Sequence, residues 1–359
     1  MIGLNTKLPG SFYAKLAFVL VSLIAFCYIC ISGKQIIAPL VYAFLFAILL
    51  LPLARFFEAK TKLSRAAAAG LSVILLVLFV FGIIYIVGSQ ISGLAREWPG
   101  FKQTYLLAIS KLEHWLDANF HIAMANQVNY VNSATSKLIT SETTIIGDTV
   151  LSVSFLLLFL LFTMIDTFCF LFYRRLLIRF LIEVFRRENS GAIYEIVAQV
   201  QFITRKYILA ILLEMATVSA VLCITFSLIG IKYAILLGLI AGILNVIPYA
   251  GIFSSLVLTV LITIGTASSV TPVILVIITV IVTHFIDTTF MFPLLVRSKV
   301  KVNAFITFLG VAVGGMAWGI PGMFISIPVI AICKIVFDRV ESLKPWGLLF
   351  GDGKTGLKL

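Results

Sequence analysis

The chain has 359 residues, of which 61% are hydrophobic and 12% charged, and its mean hydropathy is +1.15. A soluble globular domain is about half apolar and about one quarter charged, so this composition excludes that class and indicates a polytopic membrane protein. The net charge of +12 does not indicate nucleic-acid binding. Of the 27 Lys and Arg residues, 21 fall in clusters between apolar segments, as expected for loops that orient membrane helices.

Apolar runs of about 17 to 25 residues predict transmembrane helices. Six continuous runs are predicted to span: Leu16–Ser32, Ile36–Leu53, Ala66–Ile91, Val150–Tyr173, Tyr207–Ile229 and Val270–Leu295. Two further apolar stretches, Tyr233–Ile264 and Asn303–Phe337, are interrupted by Gly and Pro. Each is predicted to be a broken helical hairpin, either re-entrant or made of two short crossings. The predicted class is therefore all-α, with about eight transmembrane segments.

The segment from Ser92 to Ile146 is polar enough to leave the membrane. Tyr105, Ala108, Leu112 and Trp115 recur within it at helical spacing, which predicts a small external helical lobe. The predicted domains are a three-span bundle (1–91), this lobe (92–149), a fourth span with a basic cytoplasmic connector (150–206), a transport core (207–340) and a cytoplasmic tail (341–359).

The basic clusters predict the orientation of the chain. They lie before the first span, between the second and third, in Arg174–Lys206, around Arg297–Lys301 and at the C-terminal end. Because basic loops stay in the cytoplasm, both termini are predicted to be cytoplasmic. Arg174–Lys206 alternates basic and apolar residues, so we expect it to lie as a connector along an anionic leaflet.

The two broken segments carry the most unusual residues of the chain. In the first, Pro248 removes a backbone donor and ends the helix, with Asn245, Tyr249 and Gly251 beside it. The second break contains Gly314, Gly315, Gly319, Pro321 and Gly322. Freed backbone groups are tolerated at membrane depth only where protein or a water-filled cavity covers them. Taken with the span before it, each break forms one of two inverted units, a pattern that points to a transporter's solute path.

Ionisable side chains inside predicted spans are candidates for ion coupling. Glu214 lies about two turns into its helix, and His284 and Asp287 share one face of the next full span. Thr288, like Asn245 and Tyr249, offers neutral polar contacts to a solute or an ion. Asp166 is expected to pair with Arg174 or Arg175 near the cytoplasmic surface.

Several functions find little support in the sequence. No nucleotide-binding loop, HExxH or GxSxG motif is present, so we expect no enzyme and no cofactor. Cys27-x-x-Cys30 stands alone in an apolar span, so we interpret it as packing rather than as a metal or redox site. A passive oligomeric channel or scaffold remains an alternative to a transporter. An intramembrane enzyme would need more than the His284–Asp287 pair.

Between Tyr207 and Val340 the order of motifs resembles a known family. Gly230, the run Gly242–Gly251, Asp287, Pro293, Gly314-Gly315, Gly319-Ile320-Pro321-Gly322 and Pro328 are similar to the autoinducer-2 exporter family of bacterial membrane transporters. The resemblance implies an inner-membrane homo-oligomer that exports the quorum-sensing furanone or another small polar solute with protons or sodium, or that exchanges sodium for protons. Arg174-Arg175 departs from the acidic-glycine pair common in the family, so no role is carried over there.

Overall fold

The computed structural model describes residues 12–97, 142–184, 190–247, 250–267, 269–291 and 302–351, with Gly100, Gln103 and Leu107. Its helices are α1 Phe12–Ser32, α2 Lys34–Lys60, α3 Arg65–Arg96, α4 Glu142–Val184, α5 Ser190–Ile229, α6 Ala234–Leu244, α7 Ala250–Thr266, α8 Thr271–Ile286, α9 Ala304–Trp318, α10 Ile320–Arg339 and α11 Lys344–Phe350. A π-helical turn, Asp287–Met291, continues α8, and a 3₁₀ turn, Glu341–Leu343, precedes α11. The predicted external lobe lies largely outside these residues.

The length and apolar composition of its helices identify this chain as an all-helical polytopic membrane protein, as predicted. Within the described ranges, six helices are long and apolar enough to cross a membrane, and four shorter helices are also apolar. The second member of the predicted second hairpin, Ile320–Arg339, is among the six, whereas Leu16–Ser32 is among the shorter four. Broad apolar faces of α1, α3 and α4 stay exposed on the isolated chain, as expected of helices that face lipid.

The basic segment between the fourth and fifth spans belongs to two long helices. Arg174–Val184 continues α4, and Ser190–Lys206 is the first part of α5. Its position along an anionic leaflet stays a prediction. Residues 174–184 contain no Pro or Gly that would end the helix. Helix α4 has 43 residues, which is about 65 Å at 1.5 Å per residue, and therefore extends well beyond a bilayer core of about 30 Å.

The N-terminal helices share a core with α4. Ala47, Leu50, Leu51 and Ala54 of α2 pack with Ala69 and Val73 of α3 and with Leu171 of α4, all of them buried. Small residues on α2 and α3 allow the helices to approach closely, which is how helices associate in membranes. Helix α2 also packs against the C-terminal helices, since Leu45 lies with Ile208 of α5 and Ile325 of α10.

The first broken segment forms a hairpin of α6 and α7. Helix α6 runs back along α5, with Gly238 against Cys223 and Gly242 against Ser219 and Met215. It has 11 residues, about 16 Å, and ends well short of a full crossing. The chain then turns at Asn245–Ile247, where the Ile247 N–H donates to the Leu244 carbonyl at 2.9 Å. The predicted break is confirmed here, although Pro248 and Tyr249 lie outside the described residues.

The second broken segment is an antiparallel hairpin of α9 and α10. Gly319 at its tip has φ 67° and ψ −146°, a conformation that favours glycine. Below the tip, a Cβ on Gly314 or Gly322 would overlap backbone of the other helix, so the two helices touch through glycine. At the base, the Asn303 N–H donates to the Phe350 carbonyl at 2.9 Å, which ties α11 to the start of α9.

The two hairpins approach the middle of α5 from opposite ends. Gly242 of the first contacts α5 at Met215 and Ser219. Helix α10 also runs antiparallel to α5, with Ile325 near Ile208 and Ile335 near Val200 and Ile203. Glu214 therefore lies on α5 between the levels that the two hairpins contact. The inverted pairing of the two units stays a prediction.

Candidate ion-coupling site

Three polar side chains from three elements meet beside the first hairpin tip. Glu214 lies midway along α5 and is 8% exposed, and Asp287 lies where α8 becomes a π turn and is 2% exposed. Asn245 follows the last residue of α6. The break after Leu244 is what brings this amide to the depth of the two carboxyl groups.

One nitrogen joins the two carboxyl groups. Asn245 Nδ2 donates to Glu214 Oε1 at 3.2 Å and to Asp287 Oδ2 at 3.0 Å. A primary amide has two N–H donors, so this nitrogen uses both of them on carboxyl oxygens. The amide is neutral and leaves the charge of the two carboxylates uncompensated. Two buried carboxylates this close to each other are expensive to keep charged.

A small cavity adjoins the cluster. It is about 10 Å³ and is lined by Asn245, Ser255, Thr283, His284 and Asp287 together with apolar side chains, so it has room for about one water molecule. Two buried polar atoms here, Asp287 Oδ1 and His284 Nδ1, have no hydrogen-bond partner within the described residues. Such atoms mark a place where a ligand, an ion or a water would be stabilised.

The π turn begins at Asp287. A π turn inside a helix inserts one extra residue and frequently occurs at functional sites. Thr288, the next residue, is exposed and donates its hydroxyl to the His284 carbonyl at 2.9 Å and the Phe285 carbonyl at 3.3 Å. The hydroxyl of Thr288 therefore bonds within its own helix. Of Asp287 and Thr288, only Asp287 faces the carboxyl cluster.

The other predicted site residues divide between the two hairpins. Gly251 lies in the first turn of α7, where a Cβ would overlap the Leu244 carbonyl, so it closes the turn that holds Asn245. The five residues of the second break, Gly314, Gly315, Gly319, Pro321 and Gly322, lie at the tip of the α9–α10 hairpin. That tip is held by other contacts: the Tyr42 hydroxyl donates to the Pro321 carbonyl at 3.0 Å, and Trp318 Nε1 donates to the Cys30 carbonyl at 2.9 Å.

Sequence reasoning missed a row of hydroxyl groups on α7. Ser255, Thr259 and Thr263 are all buried, and Ser255 lines the cavity. The Thr259 hydroxyl donates to the Ser255 carbonyl at 2.8 Å, and the Thr263 hydroxyl donates to the Thr259 carbonyl at 2.7 Å. Their spacing of four residues in an apolar helix is the signal that places them on one face.

The expectation for Asp166 is wrong with respect to Arg174. Arg174 Nη2 donates instead to Glu58, at 2.7 and 2.5 Å from its two carboxyl oxygens. Asp166 lies about two turns along α4 from Arg174, whereas Glu58 at the end of α2 packs directly against that part of α4. Arg174 therefore pairs with an acidic residue of another helix rather than with the acidic residue that is nearer in the sequence.

A polar junction lies at the far end of α5, at the start of the first hairpin. Glu97, just beyond α3, pairs with Lys232 Nζ at 2.5 Å and accepts a hydrogen bond from the Tyr233 hydroxyl at 2.7 Å. Hydrogen bonding from Lys232 and then from Tyr233 holds the pKa of Glu97 below its ordinary value. Desolvation, with the hydrogen bond to Glu97, raises the pKa of Tyr233 to about 12.

Long apolar helices, broken helical hairpins and a buried carboxyl cluster are features typical of membrane transporters. The family model described as AI-2E family transporter matches residues 16–342, and the chain belongs to that family. The resemblance inferred from the motifs is thereby confirmed.

Two relatives illustrate the range of similarity. The chain is 20% identical over 329 residues to "Putative transport protein YhhT" of Escherichia coli (strain K12), an alignment that covers 91% of each chain. It is 34% identical over 130 residues to "Putative transport protein YrrI" of Bacillus subtilis (strain 168), where the alignment covers 36% of each chain. The names of both relatives describe transport.

Proposed function

We propose that this protein is a secondary transporter driven by a cation gradient, in which Glu214 and Asp287 together carry the coupling ion. The observation that carries the proposal is the single Asn245 amide that donates to both buried carboxyl groups. The amide fixes the position of two acids but supplies no positive charge. A proton on one carboxyl group, or a sodium ion between oxygen ligands, would compensate the charge.

The size of the cavity favours an ion over a larger solute at this position. A space of about 10 Å³ beside Asp287 holds about one water molecule, and a sodium ion is of similar size. Sodium prefers oxygen ligands, and the Asp287 carboxylate and the Ser255 hydroxyl line this space. This observation also favours a second candidate function, exchange of sodium for protons with no organic solute.

Movement of the two hairpins would supply alternating access. Each tip stops near the middle of α5 and enters from the opposite end, so tilting one hairpin would open the cluster toward one side of the membrane. We infer that both termini are cytoplasmic in a bacterial inner membrane, because of the distribution of basic residues. We also infer a homo-oligomer, as the family resemblance implies.

For the transported solute, the family description supports export of autoinducer-2 or of a related small polar molecule. A site for that solute would be separate from the ion-sized cavity. The tip of α9 and α10 is the candidate, because Gly319 there is exposed and has open space beside it, which permits close approach by a ligand.

The test uses proteoliposomes that contain a pH-sensitive dye and are either empty or loaded with autoinducer-2. A sodium or proton gradient is imposed on the wild type, on the double variant Glu214→Gln/Asp287→Asn and on the control Glu341→Gln, which removes an exposed carboxylate. We expect gradient-driven flux in the wild type and the control, and none in the double variant. Full gradient-driven flux in the double variant would contradict the proposal, and flux that never follows a gradient in any protein would favour a passive channel.

A further inference from the structure

A second and larger cavity lies between α2, α4 and α5. Its volume is about 270 Å³, and its wall is apolar except for Arg174 and Gln201. Ile48 and Leu51 of α2, Leu177 and Leu181 of α4 and Val200 of α5 form much of that wall. None of its lining residues belongs to the carboxyl cluster, so this cavity is distinct from the proposed coupling site.

Arg174 places a charged donor in this apolar space. Its side chain is 16% exposed, and Nη2 is occupied by Glu58. Its other terminal nitrogen, Nη1, is buried and has no hydrogen-bond partner within the described residues. A guanidinium group stays charged in proteins, and a buried donor without an acceptor is costly. Arg174 lines the cavity, so an acceptor oxygen that enters there and reaches Nη1 would satisfy this donor.

We propose that this cavity binds an acyl chain of an anionic phospholipid, whose phosphate accepts a hydrogen bond from Arg174 Nη1. The apolar wall matches the hydrocarbon chain, and an arginine paired with a phosphate oxygen forms a strong, charge-assisted hydrogen bond. Basic pockets between membrane helices at a cytoplasmic surface are where anionic headgroups bind. Arg174 follows the apolar run that ends at Tyr173, so its depth suits a headgroup.

Charge around the cavity favours a phospholipid of the membrane surface over an uncharged ligand. Arg175 and Arg179 of α4 and Arg55 and Lys60 of α2 are exposed at this end. The contact between Glu58 and Arg174 brings these parts of α2 and α4 together, so the four cations lie on neighbouring parts of the two helices. They attract an anionic leaflet, whereas Arg174 and the apolar wall hold one lipid in place.

Native mass spectrometry of the full-length protein provides the test. The protein in detergent is mixed with equal amounts of phosphatidylglycerol and phosphatidylcholine that carry the same acyl chains. Glu58→Gln/Arg174→Gln replaces the charged guanidinium with a neutral amide and leaves no unpaired charge. Ile178→Trp fills the cavity from a half-buried wall position. Arg175→Gln is the matched control, since it removes an exposed charge from the same helix.

We expect the wild type and Arg175→Gln to retain phosphatidylglycerol preferentially, and both cavity variants to lose that preference by roughly 10-fold or more. Unchanged preference in the cavity variants would overturn the proposal. An equal loss in Arg175→Gln would also overturn it, because binding would then be surface attraction alone. If added oleate binds and phosphatidylglycerol does not, the occupant is a free fatty acid and the phospholipid assignment is wrong. Ile178→Trp keeps the charge pair, so it decides the matter if the double variant fails to fold.

Discussion

Replacing Asn245 with Leu would test whether the amide holds the carboxyl cluster together. The change keeps a side chain of similar size and removes both hydrogen bonds, at 3.2 and 3.0 Å. Hydrogen bonds to charged groups contribute about 1.5 to 3 kcal/mol each. The distance to Asp287 is typical of an N–H···O bond, and the distance to Glu214 lies at the long end of the usual range. Taking the lower figure for each bond, we expect a loss of about 3 kcal/mol of unfolding free energy.

The assay is denaturant unfolding of the purified protein in detergent. Asn303→Ala is the control: its side chain accepts from the Phe305 N–H at 2.9 Å, and loss of this helix cap costs about 1 kcal/mol. We expect a larger loss in Asn245→Leu than in this control. Wild-type stability in Asn245→Leu would refute the reasoning.

Two further predictions concern the second hairpin and the polar junction. Gly322→Ala places a methyl group against backbone of α9 and should destabilise the protein by about 1 to 3 kcal/mol. In the control Gly82→Ala, the added methyl group meets nothing within 4 Å and should stabilise its helix by up to about 1 kcal/mol. Thermal unfolding measures both changes. Because the pKa of Glu97 is lowered from 4.5, its pairing with Lys232 should stabilise the fold above pH 4.5 and be lost as the pH falls below that value. The stability difference between wild type and Glu97→Gln should follow that pattern, and a difference that persists in acid would count against it.

The broken segments were predictable because their cause is local. Proline and glycine interrupt a helix through backbone geometry and hydrogen bonding within a few residues, so the breaks near Asn245 and Gly319 follow from the sequence. The inverted orientation of the two units rests on the charge of the loops and stays a prediction. These signals do not depend on how the helices pack.

The contacts of the site were not predictable in the same way. Asn245 lies 31 residues from Glu214 and 42 from Asp287, and their meeting depends on the depth at which α6 ends. The Thr288 hydroxyl bonds within its own helix, as a helical Thr can do, and its role at the site stays a prediction. The pairing of Arg174 with Glu58 likewise depends on packing of α2 against α4, which no short spacing reveals.

Infrared difference spectroscopy of the reconstituted protein tests the central claim most directly. Spectra are recorded while pH or sodium is switched, for the wild type and for Glu214→Gln/Asp287→Asn. We predict that the wild type shows a band from a buried protonated carboxyl group that grows in acid or decreases when sodium binds, and that the double variant lacks this band. A wild type without such a band, or a double variant with the same band, would contradict the account that Glu214 and Asp287 hold the coupling ion.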